Sequence, residues 1–245
     1  QPTLLQEGRI VYQPTLFALR KDAVQSSVTL KNTSGKAKIY RLDWTESQPL
    51  DVDLGTLDYR LIQEDGLTYV SLRSFVSGTY DNMLARYARE GAKARGSKAV
   101  IYDLRGNVGG SDSWPRKWIQ SFLGTQNSIE TSMLYAQKNS ALFAAENSES
   151  LLPEDEGTCF AREVHGTWYE NDIPIIVLVD DHCGSSGEGA VQLLKTLDNV
   201  LIVGSNTAGY QLCGNISTFT LPYTGIGVRF GSTLFLYGDG ENVDH

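Results

Sequence analysis

The sequence predicts an α/β fold with a β-rich N-terminal segment. Twice in the middle of the chain an apolar strand, a glycine-rich turn and a helix follow one another, and alternating strand patterns precede them. The first such unit reads "KAVIYDLR", "GNVGGSD" and "WPRKWIQSFLG"; the second reads "IPIIVLVDD", "DHCGSSGEGA" and "AVQLLKTL". Alternation of this kind calls for crossover connections between parallel strands. In such folds chemistry gathers on the loops at strand ends, where a rigid scaffold holds an accessible backbone.

Residues 1–60 carry mostly alternating patterns. "SSVTLKN" and "AKIYRLDW" flank the turn-type "TSGK", which predicts a β-hairpin, and "LDYRLI" with "LTYVSLRSF" around "QEDG" predicts a second. Tyr80, Met83, Leu84 and Tyr87 then recur at helical spacing, so residues 80–95 should form an amphipathic helix ending near Gly96. After the first strand–turn–helix unit a strand is expected near "TSMLYAQ". Residues 136–173 show little periodicity and are expected to form an irregular lid or insertion. The second unit follows, with its helix over 185–197, then a strand at "NVLIVGS" and a β-like tail. The division expected is 1–60 as the β-rich segment and 61–245 as the core.

At 245 residues the chain can bury an ordinary core, and 41% apolar with 20% charged residues describes a globular protein. No apolar stretch reaches the roughly 20 residues of a membrane span, so no transmembrane segment is expected. A net charge of −8 with scattered basic residues excludes nucleic acid as a partner. Cys159, Cys183 and Cys213 lack the spacing of a zinc site; one disulfide plus one thiol is the arrangement to test, with Cys183 and Cys213 as the pair. Neither a cofactor nor a metal is expected. The chain starts with Gln and no signal segment follows, which reads as a mature product, a fragment or a trimmed chain.

Two loops bear the chemistry. In "DLRGNVGG", Gly106, Gly109 and Gly110 allow the backbone to approach a ligand or another segment, although a plain glycine-rich turn has the same composition. In "DHCGSSGEGA", Ser185 and Glu188 have the S-x-x-E spacing of a capping box. Capping accounts for one serine and the acid; it leaves Gly184, Gly187 and the second serine unexplained. A hydroxyl at a helix N-terminus sits beside free amides in the positive end of the dipole, an arrangement suited to a nucleophile whose attack creates an oxyanion.

"VIYDLRGNVGG" followed by "IPIIVLVDDHCGSSGEGAVQLLKTLDNVLIVGSNTAG" resembles the S41 family of serine peptidases, the tail-specific or C-terminal processing proteases, over roughly residues 55–230. The earlier "VQSSVTLKNTSGKAKIYRL" resembles the end of a degenerate PDZ-type module. The resemblance implies a ClpP/crotonase-like α/β spiral core, with Ser185 as nucleophile, Ser186 supplying one oxyanion-hole amide and the Gly109–Gly110 loop the other. Ser186 is the alternative nucleophile.

A serine hydroxyl needs a base within hydrogen-bond reach. The best-known family pattern places a lysine in T-x-G-K; here the motif is "TAGY", Tyr210 stands at the lysine position, and no lysine follows Lys195. The chain is thus more similar to tricorn-like members that use histidine and an acid. Their histidine lies upstream, whereas the histidines here are His165, His182 and His245. His182 and His165 read first as surface residues, and Tyr210, with a reference pKa near 10, as a pocket-lining aromatic. The expectation is that the base is missing from this polypeptide and lies on an N-terminal segment of the same protein that was removed or on a separate chain, with Glu241 or Asp244 as the place to seek its acidic partner. "GDGENVDH" also stops short of the family's G-I-x-P-D segment.

The sequence therefore predicts a serine endopeptidase acting on polypeptide through an acyl-enzyme at Ser185, in an extracytoplasmic or secreted setting. The alternative is a non-catalytic binding or scaffold protein on the same fold, and acyl-CoA chemistry of the crotonase type is a distant third. Asn32 and Asn215 head formal glycosylation sequons.

Overall fold

The structure, a computed structural model, describes residues 2–4, 10–12, 16–18, 27–31, 36–41, 59–78, 80–140 and 157–237. The chain divides into two units. One comprises Gln1–Asp53 with Ile216–Gly231, and the other Leu54–Asn215 with Ser232–His245.

In the first unit β1 (Pro2–Leu4) pairs antiparallel with β2 (Ile10–Tyr12). β3 (Leu16–Ala18) follows, and then β4 (Ser27–Lys31) pairs antiparallel with β5 (Ala37–Arg41), the hairpin expected around "TSGK".

The second unit is built on a five-stranded sheet. β6 (Arg60–Glu64) and β7 (Leu67–Ser71) form the expected hairpin, with Asp65 and Gly66 both at positive φ in its two-residue turn. The chain then crosses through α1 (Asp81–Ala94) to β8 (Ala99–Asp103), parallel to β7. α2 (Ser113–Leu123) follows, and Gly124 closes it in the left-handed conformation with its N–H on Gln120 O. A β-ribbon comes next: β9 (Met133–Lys138) and β10 (Cys159–Val164), antiparallel. β11 (Ile175–Val179) returns to the main sheet parallel to β8, and α3 (Ser186–Leu194) leads to β12 (Val200–Gly204), parallel to β11. The strand order is β12-β11-β8-β7-β6.

The apolar runs of β8 and β11 suit interior parallel strands, one face of which is buried and the other, with Ile101, Ile176 and Leu178, half-buried. Val100 and Tyr102, and Ile175, Val177 and Val179, are buried. α1 turns Leu84, Tyr87, Ala88 and Ala94 inward. Gly91 lets it approach α2: a Cβ there would lie 2.3 Å from Trp118 O. Trp118 is fully buried, edge-on to Tyr102 and stacked on Phe122.

The described residues end with β13 (Cys213–Thr220) and β14 (Ile226–Tyr237). Residues 233–237 of β14 pair with β9, and residues 226–228 pair with β3.

Two expectations are corrected. Residues 136–173 are not irregular throughout: 136–138 complete β9, 159–164 form β10, and 141–156 lie outside the described residues. β10 exposes all of its residues but Val164, so no buried face imposes an apolar alternation on its sequence. None of the three cysteines forms a disulfide; Cys183 is buried in the core while Cys159 and Cys213 are exposed.

Candidate active site

Three loops leave the carboxyl ends of three neighbouring parallel strands: 104–111 after β8, 180–185 after β11 and 205–210 after β12. Since the strands are parallel and adjacent, their loops emerge on one edge of the sheet, the place where open α/β sheets form their sites.

Hydrogen bonds lace the first loop to the second. Gly106 N–H donates to Asp180 Oδ1 (2.8 Å), Gly184 N–H to Asn107 O (2.9 Å), and Ser186 Oγ to Gly110 O (2.9 Å). Asn107, fully buried, fixes the first loop from within: its Nδ2 donates to Leu72 O and its Oδ1 accepts from Gly109 N–H. Gly109, at φ 97°, lies against the serine turn, and a Cβ there would be 2.7 Å from Ser185 Cβ. Asp103, at the root of the loop, is fully buried against Arg105 and Tyr69. Burial pushes its carboxyl up, but hydrogen bonds from these two donors more than reverse that and hold it at about 2.

Ser185 sits at the N-cap of α3 with φ 54° and ψ −122°, a conformation that costs a non-glycine residue about 1–3 kcal/mol. It is exposed, at the positive end of the helix dipole. Ser186, by contrast, is buried and its hydroxyl is donated to Gly110 O, so the structure gives it the part of a brace between the loops and not of an available nucleophile. No hydrogen-bond partner is found among the described residues for the Ser186 and Gly110 N–H groups, whereas Gly109 N–H, one of the amides expected to serve as an oxyanion donor, is engaged by Asn107.

Glu188 binds the third loop to this turn. Its fully buried carboxylate accepts four hydrogen bonds: Oε2 from Ser185 N–H (2.8 Å) and Tyr210 N–H (3.0 Å), Oε1 from Thr207 Oγ1 (2.7 Å) and Gly209 N–H (2.7 Å). Burial pushes this carboxyl above its ordinary range, and the four donors pull against that. Ala208 N–H on Cys183 O (2.8 Å) adds a further tie. The Tyr210 ring, about half exposed, covers Gly184, where a Cβ would lie 2.8 Å from Cδ2. The S-x-x-E spacing announced a capping box, and the box is present. What the spacing did not announce is that the same carboxylate also gathers the "TAGY" segment, and Asn107 was not singled out at all.

No side-chain base is hydrogen-bonded to Ser185 Oγ among the described residues. His182 is exposed and paired with Asp181 (2.8 Å); His165 is exposed beyond the end of β10. Glu241, Asp244 and His245 lie outside the described residues. Asp180, Asp181 and His182 form a group with the spacing to hold a cation, but Asp180 Oδ1 already accepts from Gly106 and His182 N–H groups. A cavity of about 550 Å³ lies elsewhere, between α1 and α2 around Ala88, Arg89, Trp114 and Lys117.

Residues 66–244 match the family model described as Peptidase family S41. Among solved structures, mature CPAF is similar at 12% identity and a TM-score of 0.51, over 89% of this chain and 60% of its own, a likeness of fold. A candidate peptidase from Parabacteroides merdae is similar at 24% identity and a TM-score of 0.46, over 76% of this chain and 53% of its own. The photosystem II D1 C-terminal processing protease is similar at 19% identity and a TM-score of 0.44, over 73% of this chain and 39% of its own. The chain thus spans between 39% and 60% of the length of these structures. Comparison with curated proteins gave no match.

Proposed function

The chain belongs to peptidase family S41, and on that premise we propose that it is a serine endopeptidase that opens peptide bonds through an acyl-enzyme at Ser185. Ser185 Oγ attacks the substrate carbonyl carbon while its proton passes to a general base. The carbonyl oxygen gains the negative charge and is received by the N–H groups of Ser186 and Gly110. Collapse of the tetrahedral adduct transfers the proton to the leaving amine and leaves an ester on Ser185, which water then hydrolyses. In this reading Gly109 serves by its lack of a side chain, which lets Ser185 reach this position, and Tyr210 lines the substrate pocket. The base comes from outside the described residues, on an N-terminal segment of the same protein, with Glu241 as its acidic partner. The substrate is an extended polypeptide met outside the cytoplasm.

The observation that carries the proposal is the strained, exposed Ser185 at the mouth of α3, packed against Gly109. A strained non-glycine conformation persists where the surrounding structure over-determines it, and such positions cluster at active sites. A fluorophosphonate probe tests it. Labelling is expected on the wild-type protein, lost in Ser185→Ala and retained in Ser186→Ala. Absence of labelling in the longest natural form of the protein would overturn the peptidase reading. It would favour a binding or scaffold role, for which Tyr210 at the lysine position and the lack of a base on Ser185 Oγ among the described residues are the supporting observations.

A further inference from the structure

The cavity of about 550 Å³ between α1 and α2 falls within the range of ligand sites. Its charged lining is Arg89, Arg95 and Lys117, all exposed, and no aspartate or glutamate joins them, in a chain whose net charge is −8. Arg86 and Lys93, on the same helix, pair with Glu90, but Arg89, Arg95 and Lys117 have no carboxylate partner among the described residues. Two of the three are held in place all the same, and by neutral groups. Arg95 donates from Nε to Phe122 O (2.8 Å) and from Nη2 to Ser121 O (2.6 Å). Lys117 Nζ lies 4.5 Å from the centre of the Trp114 ring, which is itself fixed by its N–H on Ser77 Oγ (2.9 Å). A neutral partner orders a cation without cancelling its charge, so the cleft presents positive charge on side chains that have already lost part of their freedom.

The spacing of the charges says what kind of anion fits. Arg89 and Arg95 are six residues apart, and Arg95 keeps helical backbone angles at the end of α1, so they are set about 9 Å apart along its axis. Lys117 adds a third charge from α2. Charges dispersed in this way match several anionic groups along one molecule better than a single small ion. An extended peptide carries alternate side chains about 7 Å apart on one side, a spacing that long arginine side chains can meet. Ala85, Ala88 and Ala92 give the α1 wall of the cleft a small-residue surface, which leaves room for a main chain. We propose that this cleft binds an acidic peptide segment in extended form, its carboxylates received by Arg89, Arg95 and Lys117 through charge-assisted hydrogen bonds. No residue of the Ser185 site lines the cleft, so the inference stands apart from the peptidase reading.

Binding is measured on the full chain by calorimetry and by the indole N–H NMR signal of Trp114. The probes are acetyl-Glu-Ala-Glu-Ala-Glu amide, its Gln-Ala-Gln-Ala-Gln counterpart, tripolyphosphate and an octathymidylate. The acidic peptide is expected to bind at least about tenfold more tightly than the neutral one, to shift the Trp114 signal, and to weaken between about 50 and 300 mM salt. The double variant Arg89→Gln with Lys117→Gln should weaken it by about tenfold or more, and so should Ala92→Glu, which sets a carboxylate in the cleft. All three positions are exposed, so the fold does not rest on them. Lys98→Gln, at an exposed lysine outside the lining, and Ser185→Ala should leave binding unchanged. Equal binding of the two peptides, retention of affinity in both cleft variants, an equal loss in Lys98→Gln, or no binding by about 10 mM would overturn the proposal. Tighter binding of either phosphate probe than of the acidic peptide would overturn it too, and would assign the cleft to a phosphate chain. Fluorophosphonate labelling should be the same in the cleft variants as in the wild type, so failure here leaves the peptidase reading standing.

Discussion

Glu188→Gln removes a charge and little else, so its consequences can be worked out bond by bond. The carboxylate accepts from Ser185 N–H and Tyr210 N–H on one oxygen, and from Thr207 Oγ1 and Gly209 N–H on the other. A carboxamide has one oxygen. Turning its NH2 toward Ser185 and Tyr210 opposes two backbone donors. Turning it toward Thr207 and Gly209 opposes one, because the threonine hydroxyl can rotate to accept. The second orientation wins and leaves Gly209 N–H without an acceptor in a buried site, a loss of about 1–3 kcal/mol. The two bonds that survive pass from a charged to a neutral acceptor, about 1 kcal/mol weaker each, while relief of a buried charge offsets part of the total. The expected net destabilisation is roughly 2–4 kcal/mol, read as a lower urea midpoint at pH 7 with an unchanged slope. Fluorophosphonate labelling should fall with it, since the Ser185 turn loses its anchor. Glu163→Gln, on exposed β10, serves as control and should stay within about 0.5 kcal/mol. If Glu188→Gln also stays within that margin, the carboxylate does not hold the three loops together.

Two further predictions concern acid stability and thiol reactivity. Asp103 is held at about 2 in the folded chain, below the unfolded value near 3.9. Its contribution is therefore fully present above pH ~3.9 and lost as the pH falls through the folded value. Tyr69→Phe removes the donor on Oδ2 and should move that loss to higher pH in urea titrations repeated between about pH 5 and 2; an unshifted profile would count against the pairing. Iodoacetamide should modify Cys159 and Cys213 in the native chain. Cys183 should react after unfolding only, because burial pushes its thiol far above the ordinary range. A native chain with fewer than two reactive thiols would restore the disulfide.

What the sequence disclosed and what it hid divide along a physical line. β8, β11, α1 and α2 were legible because each buries an apolar face, and burial writes a periodicity into the residues. β10 was not, because it is held by backbone pairing to β9 and buries almost nothing. The same line runs through the site. The capped helix start at Ser185 was legible from its S-x-x-E spacing. Asn107 and the second role of Glu188 were not, because both act across loops: Asn107 meets Gly184 of the second loop, and Glu188 meets Thr207, Gly209 and Tyr210 of the third, 19 to 22 residues on, and only the folded chain brings these partners together. Asn215 shows the converse: its sequon is local and visible, but its Nδ2 is bound to Thr233 Oγ1 and Ser217 is buried.

The arrangement around Ser185 also explains why the neighbouring serine is present. A residue at φ 54° relaxes unless its neighbours forbid it. On one side Gly109 occupies the space into which Ser185 would move; on the other Glu188 holds the Ser185 N–H, and Ser186 fastens the following residue to Gly110 O. Each of these contacts joins the serine turn to a different point, and none of them uses the proton of Ser185 Oγ, which in the capping box accepts from the Glu188 N–H. The pair of serines therefore separates two tasks that one hydroxyl could not perform together: Ser186 donates its proton to a carbonyl and braces the turn, while Ser185, exposed at the helix mouth, keeps its own. Replacing Ser186 with alanine then removes a brace but not the proposed nucleophile, the reason that labelling should survive Ser186→Ala and disappear in Ser185→Ala.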